Sequence, residues 1–406
     1  MKPGSTSDIP LHLVTPVWGE AYTRVFLDVM VPSLLAPGNL PAVNNLGECV
    51  YKIYTSKTDA EVIKRSESYA NLSKLLPIEF RRIEKLDENK WATSSDCYRE
   101  AVFEAAAKQA AVFTAVPDFV FADGGLRSIT RLLRTGKKAI LMMALRTVKE
   151  SLIPELRARF LQGACICVQP RELAALALAH VHPITECHMY EGGSKDFHPS
   201  VLCWRVRDEG LLVHSFHLHP VAIHPPAGIT FSGTIDDDLI EASGFSEDET
   251  YVASSSDEFL CIELSDRSYS FVTQMTRNKG VRGIVSWLPY PMSRCHRRNV
   301  LTPIRVASGE TSNAHWRKVE QRARHTVDHI LRKFDERRAA STPLEAHFAS
   351  RIAALERRLA GYLTAQGKAN TISPASFLKA ICARALVALL WPAKRLYRIV
   401  RYARTH

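Results

Sequence analysis

The stretch Val116-Pro-Asp-Phe-Val-Phe-Ala-Asp-Gly-Gly125 carries an apolar run straight into Asp123, two glycines and then a helical pattern. A run of this kind reads as a buried parallel strand, and in open α/β sheets ligands gather outside the carboxyl ends of such strands. On that reading Asp123 stands at the rim of the sheet, and Gly124 and Gly125 allow a sharp exit and the close approach of a ligand. The same letters also spell an Asp-Gly turn that simply ends a strand. Both readings stand at this point.

Upstream, the hydrophobic period alternates. Residues 11–16 and 49–55 read as strands, while 20–35, 59–72 and the Ala-rich 96–114 follow helical spacing. Downstream, residues 126–134 read as a helix and 138–143 as a strand. This β-α-β-α order predicts a mostly parallel α/β sheet with helices on both faces. From about 200 to 306 the pattern turns strand-rich, with 201–206 and 210–221 as paired strands around the turn Asp208-Glu-Gly210, and 259–264 as a further strand. No flexible linker separates the two halves, so residues 8–310 are expected to form one domain.

The pattern changes again in residues 311–366. Val319, Ala323, Val327, Ile330 and Phe334 keep helical spacing among charged neighbours, and Thr342-Pro-Leu-Glu345 has the form of a helix start. A second apolar stripe runs through Leu344, Phe348, Ile352, Leu355, Leu359 and Tyr362. Together they predict a C-terminal helical extension, an amphipathic hairpin or short coiled coil that packs on the domain or mediates self-association through 315–363.

Residues 373–406 carry Lys379, Arg384, Lys394, Arg395, Arg398, Arg401 and Arg404 and no acidic residue, which accounts for +7 of the net charge of +11. The apolar part is far shorter than the roughly 20 residues needed to span a bilayer. With Trp391, Tyr397 and Tyr402 it predicts a basic amphipathic tail lying on an anionic membrane surface. Without the tail the chain is only mildly basic, which argues against nucleic acid as a partner. Residues 1–10 lack the apolar core of a secretory signal, and the nine cysteines include no CxxC pair. The expectation is therefore a cytoplasmic protein with reduced thiols, peripheral at the inner face of the membrane.

Two clusters carry possible chemistry. Eight of the fifteen histidines fall between 180 and 224, and Phe216-His-Leu-His-Pro220 would place His217 and His219 on one face of a strand. Such a pair can share a divalent metal, orient a phosphate or bond to backbone; no third ligand at fixed spacing decides among these. Gly233-Thr-Ile-Asp-Asp-Asp-Leu239 sets Asp236, Asp237 and Asp238 in succession, a run that suits metal binding, a catalytic base or a solvated helix cap. Arg99, in Tyr98-Arg-Glu100, precedes the Asp123 strand and has the planar fork that suits a diphosphate.

The first strand with its sequel His12-Leu-Val-Thr-Pro-Val-Trp-Gly19, the strand Tyr51-Lys-Ile-Tyr-Thr55, the helix with Tyr98-Arg99-Glu100 and the strand ending Phe121-Ala-Asp-Gly124 together resemble the nucleotide-diphospho-sugar transferase superfamily of GT-A fold, over roughly residues 10–150. The resemblance implies a GT-A-like sheet and a glycosyltransferase. In that family the end of the first strand holds the nucleotide, which would place Thr15, Pro16 and Trp18 beside it. It also implies that Arg99 approaches the phosphates and that Asp123, with Gly124, stands in the acidic motif that holds Mn²⁺ or Mg²⁺ on the nucleotide sugar. The usual motif is Asp-x-Asp, whereas this chain reads Asp123-Gly-Gly125, so one carboxylate is missing. A histidine from the second half, His217 or His219, would then complete the metal site, and Asp236, Asp237 or Asp238 would serve as base toward an acceptor hydroxyl.

The implied activity is hexosyl transfer to a glycan or lipid-linked acceptor, in bacterial-type surface polysaccharide or glycoconjugate synthesis at the membrane. Two other readings remain open. One is a metal-dependent hydrolase built on the His217/His219 and Asp236–Asp238 cluster. The other is a non-catalytic scaffold with a degenerate transferase domain.

Overall fold

The computed structural model describes residues 9–43, 49–84, 86, 90–270, 276, 278–288 and 292–340. The predicted second amphipathic helix (342–362) and the basic tail (373–406) lie outside the described residues.

A seven-stranded sheet forms the centre, in the order β13 (Thr250–Val252), β6 (Ala139–Leu141), β12 (Val221–Ile223), β4 (Ala111–Thr114), β1 (Leu11–Pro16), β2 (Val50–Thr55) and β3 (Ile78–Arg82). All neighbours pair in parallel except β12, which runs antiparallel between β4 and β6. Strands buried on both sides must alternate between two cores, and these do. Val14, Tyr54, Val112 and Leu141 enter one core, while Leu13, Ile53, Phe113 and Ile140 enter the other. The helix Lys90–Lys108 covers the first face with Cys97, Tyr98, Ala101, Val102 and Ala105. The segment 26–34 and the helix Gly125–Arg134 cover the second with Phe26, Met30, Leu34, Leu126, Ile129 and Leu133. The fold is thus α/β, a mostly parallel sheet flanked by helices.

Two smaller sheets build on this base. β5 (Phe119–Phe121) pairs antiparallel with β14 (Cys261–Ser265), which pairs in parallel with β7 (Ala144–Val148). β10 (Val201–Val206), β11 (Gly210–Ser215) and β15 (Ile304–Ala307) form an antiparallel sheet, and β8 (Leu161–Gln162) with β9 (Cys165–Ile166) form a short hairpin. The helix Ala314–Ala339 is capped by Asn313, whose side chain accepts from the backbone N–H groups of His315 and Trp316. It lays Trp316, Val319, Ala323, Val327, Ile330 and Phe334 into a third core with Trp204 and Leu212 of β10 and β11. Its apolar stripe is therefore used in packing on the body of the protein.

One expected strand is broken. Residues 210–221 read as continuous, yet the chain leaves β11 after Ser215 and re-enters the central sheet only at Val221. Residues 216–220 are a crossover between two sheets. His217 and His219 therefore do not stand side by side on a strand.

Candidate active site

At the carboxyl ends of β1 and β4 the chain opens a cavity of about 220 Å³. Pro16 and Trp18 contribute from β1, Val116, Pro117 and Asp118 from the turn after β4, and Lys90, Trp91 and Ser94 from the first turns of the helix Lys90–Lys108. Arg146 of β7 and Glu263 of β14 close the floor, and Lys149, Asp266 and Tyr269 form the far wall. This is where an open α/β sheet places its ligands.

Asp118 is the carboxylate at the end of β4. Its backbone carbonyl accepts from Leu264 N–H at 2.8 Å, which ties the turn to β14. Burial pushes its carboxyl up to about 7, helped by Glu263 and opposed by Arg146 and Lys90. Arg146 meets Glu263 at 2.5 Å, also bonds Ser265, and lies 5.1 Å from the centre of the Tyr269 ring. Lys90 donates to the Tyr22 hydroxyl at 2.7 Å and sits over the rings of Trp91 (4.7 Å), Tyr22 (5.0 Å) and Tyr269 (5.5 Å). Burial lowers the pKa of this ammonium. A desolvated cation among π faces beside a buried carboxyl is an arrangement found at sites that receive charge. The cavity is smaller than the usual 300–1,000 Å³ of a ligand site. A wider groove of about 690 Å³ adjoins it, sharing Ala21, Val25 and Lys149 and adding Arg24, Asp28 and Arg157.

Asp123 lies elsewhere. It sits at the opposite end of β5 from Asp118, five residues and roughly 16 Å along extended backbone. Its carboxylate accepts from Gly38 N–H at 2.5 Å and stands 3.8 Å from the Cys167 thiol. Asn39 continues this lock, accepting from Leu126 N–H and donating to the Ala122 carbonyl. A Cβ on Gly38 would lie 2.6 Å from the Gly124 nitrogen, so the two loops touch backbone to backbone. Gly124 has φ 93° and caps the helix Gly125–Arg134. The geometry is that of the Asp-Gly turn, and neither Asp123 nor Gly124 lines the cavity.

Other expected residues divide between the cavity and the scaffold. Pro16 and Trp18 reach the cavity. Thr15 is fully buried, with its hydroxyl on Tyr51 Oη at 2.9 Å. Arg99 pairs with Asp96 at 2.6 Å and does not line the cavity. His217 packs edge-on against His296 at 4.6 Å and lies 3.7 Å from Asp236. His219 packs instead on Phe119 and Tyr98, and burial lowers its pKa. Asp123, His217 and His219 are thus not brought together, and among the described residues no three His, Cys, Asp or Glu side chains gather as a metal site.

The acidic run is split by its own local structure. Asp238 accepts from Thr234 N–H at 2.8 Å and closes its own turn. Asp237 accepts from Ser293 Oγ at 2.7 Å and stands 3.3 Å from His296 Nε2; burial raises its pKa. Asp236 stays beside His217, 3.7 Å away.

Lys90, Asp118, Arg146 and Glu263 were not singled out from the sequence. The available signal was Pro117-Asp118: a proline inside an apparent strand marks a turn, and here the turn carries the carboxylate.

A mostly parallel α/β sheet with a charged, aromatic-lined cavity at its strand ends is the class that the fold and the site define. No protein-family model matches the chain, and no curated protein matches it. Solved structures match parts of it. TarS from S. aureus aligns at 10% identity and a TM-score of 0.24, covering 34% of this chain and 22% of that one. Mouse xyloside xylosyltransferase 1 aligns at 14% and 0.22, covering 37% and 58%. The 4-diphosphocytidyl-2C-methyl-D-erythritol synthase of Anaerococcus prevotii aligns at 19% and 0.22, covering 36% and 61%. The chain spans less than two thirds of each of these proteins. No helix of the described residues is long and apolar enough to cross a membrane.

Proposed function

We propose that the protein transfers a sugar from a nucleotide-diphosphate donor to an acceptor hydroxyl, with the donor held at Asp118 rather than at Asp123. The observation that carries this reading is the cavity at the ends of β1 and β4, where Lys90 and Arg146 face Asp118 among Trp18, Tyr22, Trp91 and Tyr269. The aromatic faces suit a base or a sugar ring, and the cations suit a phosphate. A whole nucleotide sugar exceeds the cavity, so part of it extends into the adjoining groove toward Arg24 and Arg157.

In this reading the bond between the anomeric carbon and the diphosphate oxygen breaks, and its electron pair leaves with the diphosphate. The acceptor oxygen bonds to the same carbon and gives its proton to a carboxylate. Asp236 is assigned that role, because Asp238 is engaged in its own turn and Asp237 is held by Ser293. The hydrolase alternative needs His217 and His219 on one cation, and their rings pack on different partners.

Incubation with a panel of nucleotide sugars, following release of nucleoside diphosphate, tests the proposal. Release that falls at least tenfold in Asp236→Asn and in Asp118→Asn is expected. Turnover untouched by both substitutions would remove these residues from the mechanism, and failure to turn over any donor would count against the transferase reading.

A further inference from the structure

The GT-A resemblance implies a divalent cation on the donor diphosphate, and the residues at this cavity do not fit one. An Asp-x-Asp motif ending at Asp118 would need a carboxylate at 116, where the chain has Val116. The cavity's other two carboxylates are committed to cations, Glu263 to Arg146 at 2.5 Å and Asp266 to Lys149 at 2.6 Å. Among the described residues no three His, Cys, Asp or Glu side chains form a metal-binding group.

The cavity is instead supplied with side-chain cations. Lys90, Arg146 and Lys149 all line it, with Arg146 paired to Glu263 and Lys149 to Asp266. The Lys90 ammonium is held by one hydroxyl and three ring faces, contacts that an incoming anion can outbid. Lys90 and Arg146 border the same Tyr269 ring, at 5.5 and 5.1 Å from its centre, so both cations face one small volume. A guanidinium and an ammonium there do the electrostatic work that a bound cation does elsewhere: they stabilise the charge developing on the leaving oxygen.

We propose that Lys90 and Arg146 bind and neutralise the donor diphosphate in place of a divalent metal. This rests on the donor-site reading above. As the donor bond breaks, the electron pair stays on the diphosphate oxygen and the two side chains hydrogen-bond to it, while the acceptor oxygen bonds to the anomeric carbon and gives up its proton as described above; neither Lys90 nor Arg146 makes or breaks a covalent bond.

Isothermal titration of the full chain with UDP, GDP, CDP, ADP and dTDP, each in EDTA and again in MnCl₂ or MgCl₂, tests the proposal, with Lys90→Met and Lys90→Arg alongside wild type. The expected result is binding that survives EDTA, weakens roughly ten- to a hundredfold in Lys90→Met through loss of a charge-assisted bond, and recovers in part in Lys90→Arg. Lys90→Met replaces a half-buried cation by an apolar chain of similar length, and circular dichroism would verify its fold; should it not fold, the EDTA comparison and Lys90→Arg decide. Binding that appears only with Mn²⁺ or Mg²⁺ would overturn the proposal while leaving the donor site in place. Metal-free binding with unchanged affinity in Lys90→Met would also overturn it. No binding of any diphosphate under either condition would remove the donor site itself, and this proposal with it.

Discussion

Asp118 and Asp123 stand at the two ends of one short strand, and their surroundings assign them opposite kinds of work. Asp123 answers the Gly38 N–H, so Asp123→Ala leaves a loop donor unsatisfied and is expected to cost about 1–3 kcal/mol in urea unfolding. Asp118 holds a carboxyl that burial keeps up to about 7. The sign follows from linkage: a raised folded-state pKa favours folding below the unfolded value near 4, and that advantage is lost as pH rises through 7. Asp118→Asn is therefore expected to raise Tm relative to wild type at pH 8 and to change it little at pH 4. An equal effect at both pH values would contradict the assignment. Residue types alone could not separate the two aspartates, because each precedes or follows an apolar run. Only the pairing of β5 with β14 shows which end of the strand faces the cavity.

Elements were legible where a single period governed them. The alternation in β1 and β2 and the helical stripe of 319–334 are simple consequences of burial on two faces or one, and the structure places strands and a helix there, whereas 111–114, read as the end of the Ala-rich helix, form the strand β4. The run 210–221 was not legible as two strands, since an apolar pattern continues unbroken when a chain passes from one buried sheet to another. The site failed to show for a related reason: Lys90, Asp118, Arg146 and Glu263 come from four elements brought together only by topology. The helix Ala314–Ala339 gives a test at this scale. Trp316 is fully buried against β11, where a Cβ on Gly210 would lie 2.8 Å from its ring. Trp316→Ala is expected to cost about 3–5 kcal/mol, read as a lower denaturant midpoint. A loss under 1 kcal/mol would mean that the helix is not part of the third core in solution.

Across the whole molecule, charge is managed differently on the two sides of the sheet. Beneath β2 the fully buried Lys52 meets Glu104 at 2.6 Å, and Arg81 and Lys108 join the same carboxylate. Burial alone would raise the Glu104 pKa, but the bonds from Lys108 and Lys52 outweigh it and bring it down to about 2. Burial and then Lys52 lower His12 to about 4. Both depressed values give stability that is present above the unfolded pKa and lost on acidification, from about 6.5 down to 4 for His12 and from about 4.3 down to 2 for Glu104. These two groups therefore withdraw stability as the pH falls below about 6, opposite in sign to Asp118. Glu104→Gln, which strands a buried ammonium, should cost about 3–5 kcal/mol at neutral pH. At the strand ends, by contrast, cations and carboxyls line a cavity open to a ligand, and the proposed function rests on that opening. The most direct test is a thermal-shift comparison of wild type, Asp118→Asn and Asp123→Asn with the nucleoside diphosphate panel. A shift retained in Asp123→Asn and lost in Asp118→Asn is the expected result; a shift lost in Asp123→Asn and kept in Asp118→Asn would contradict it.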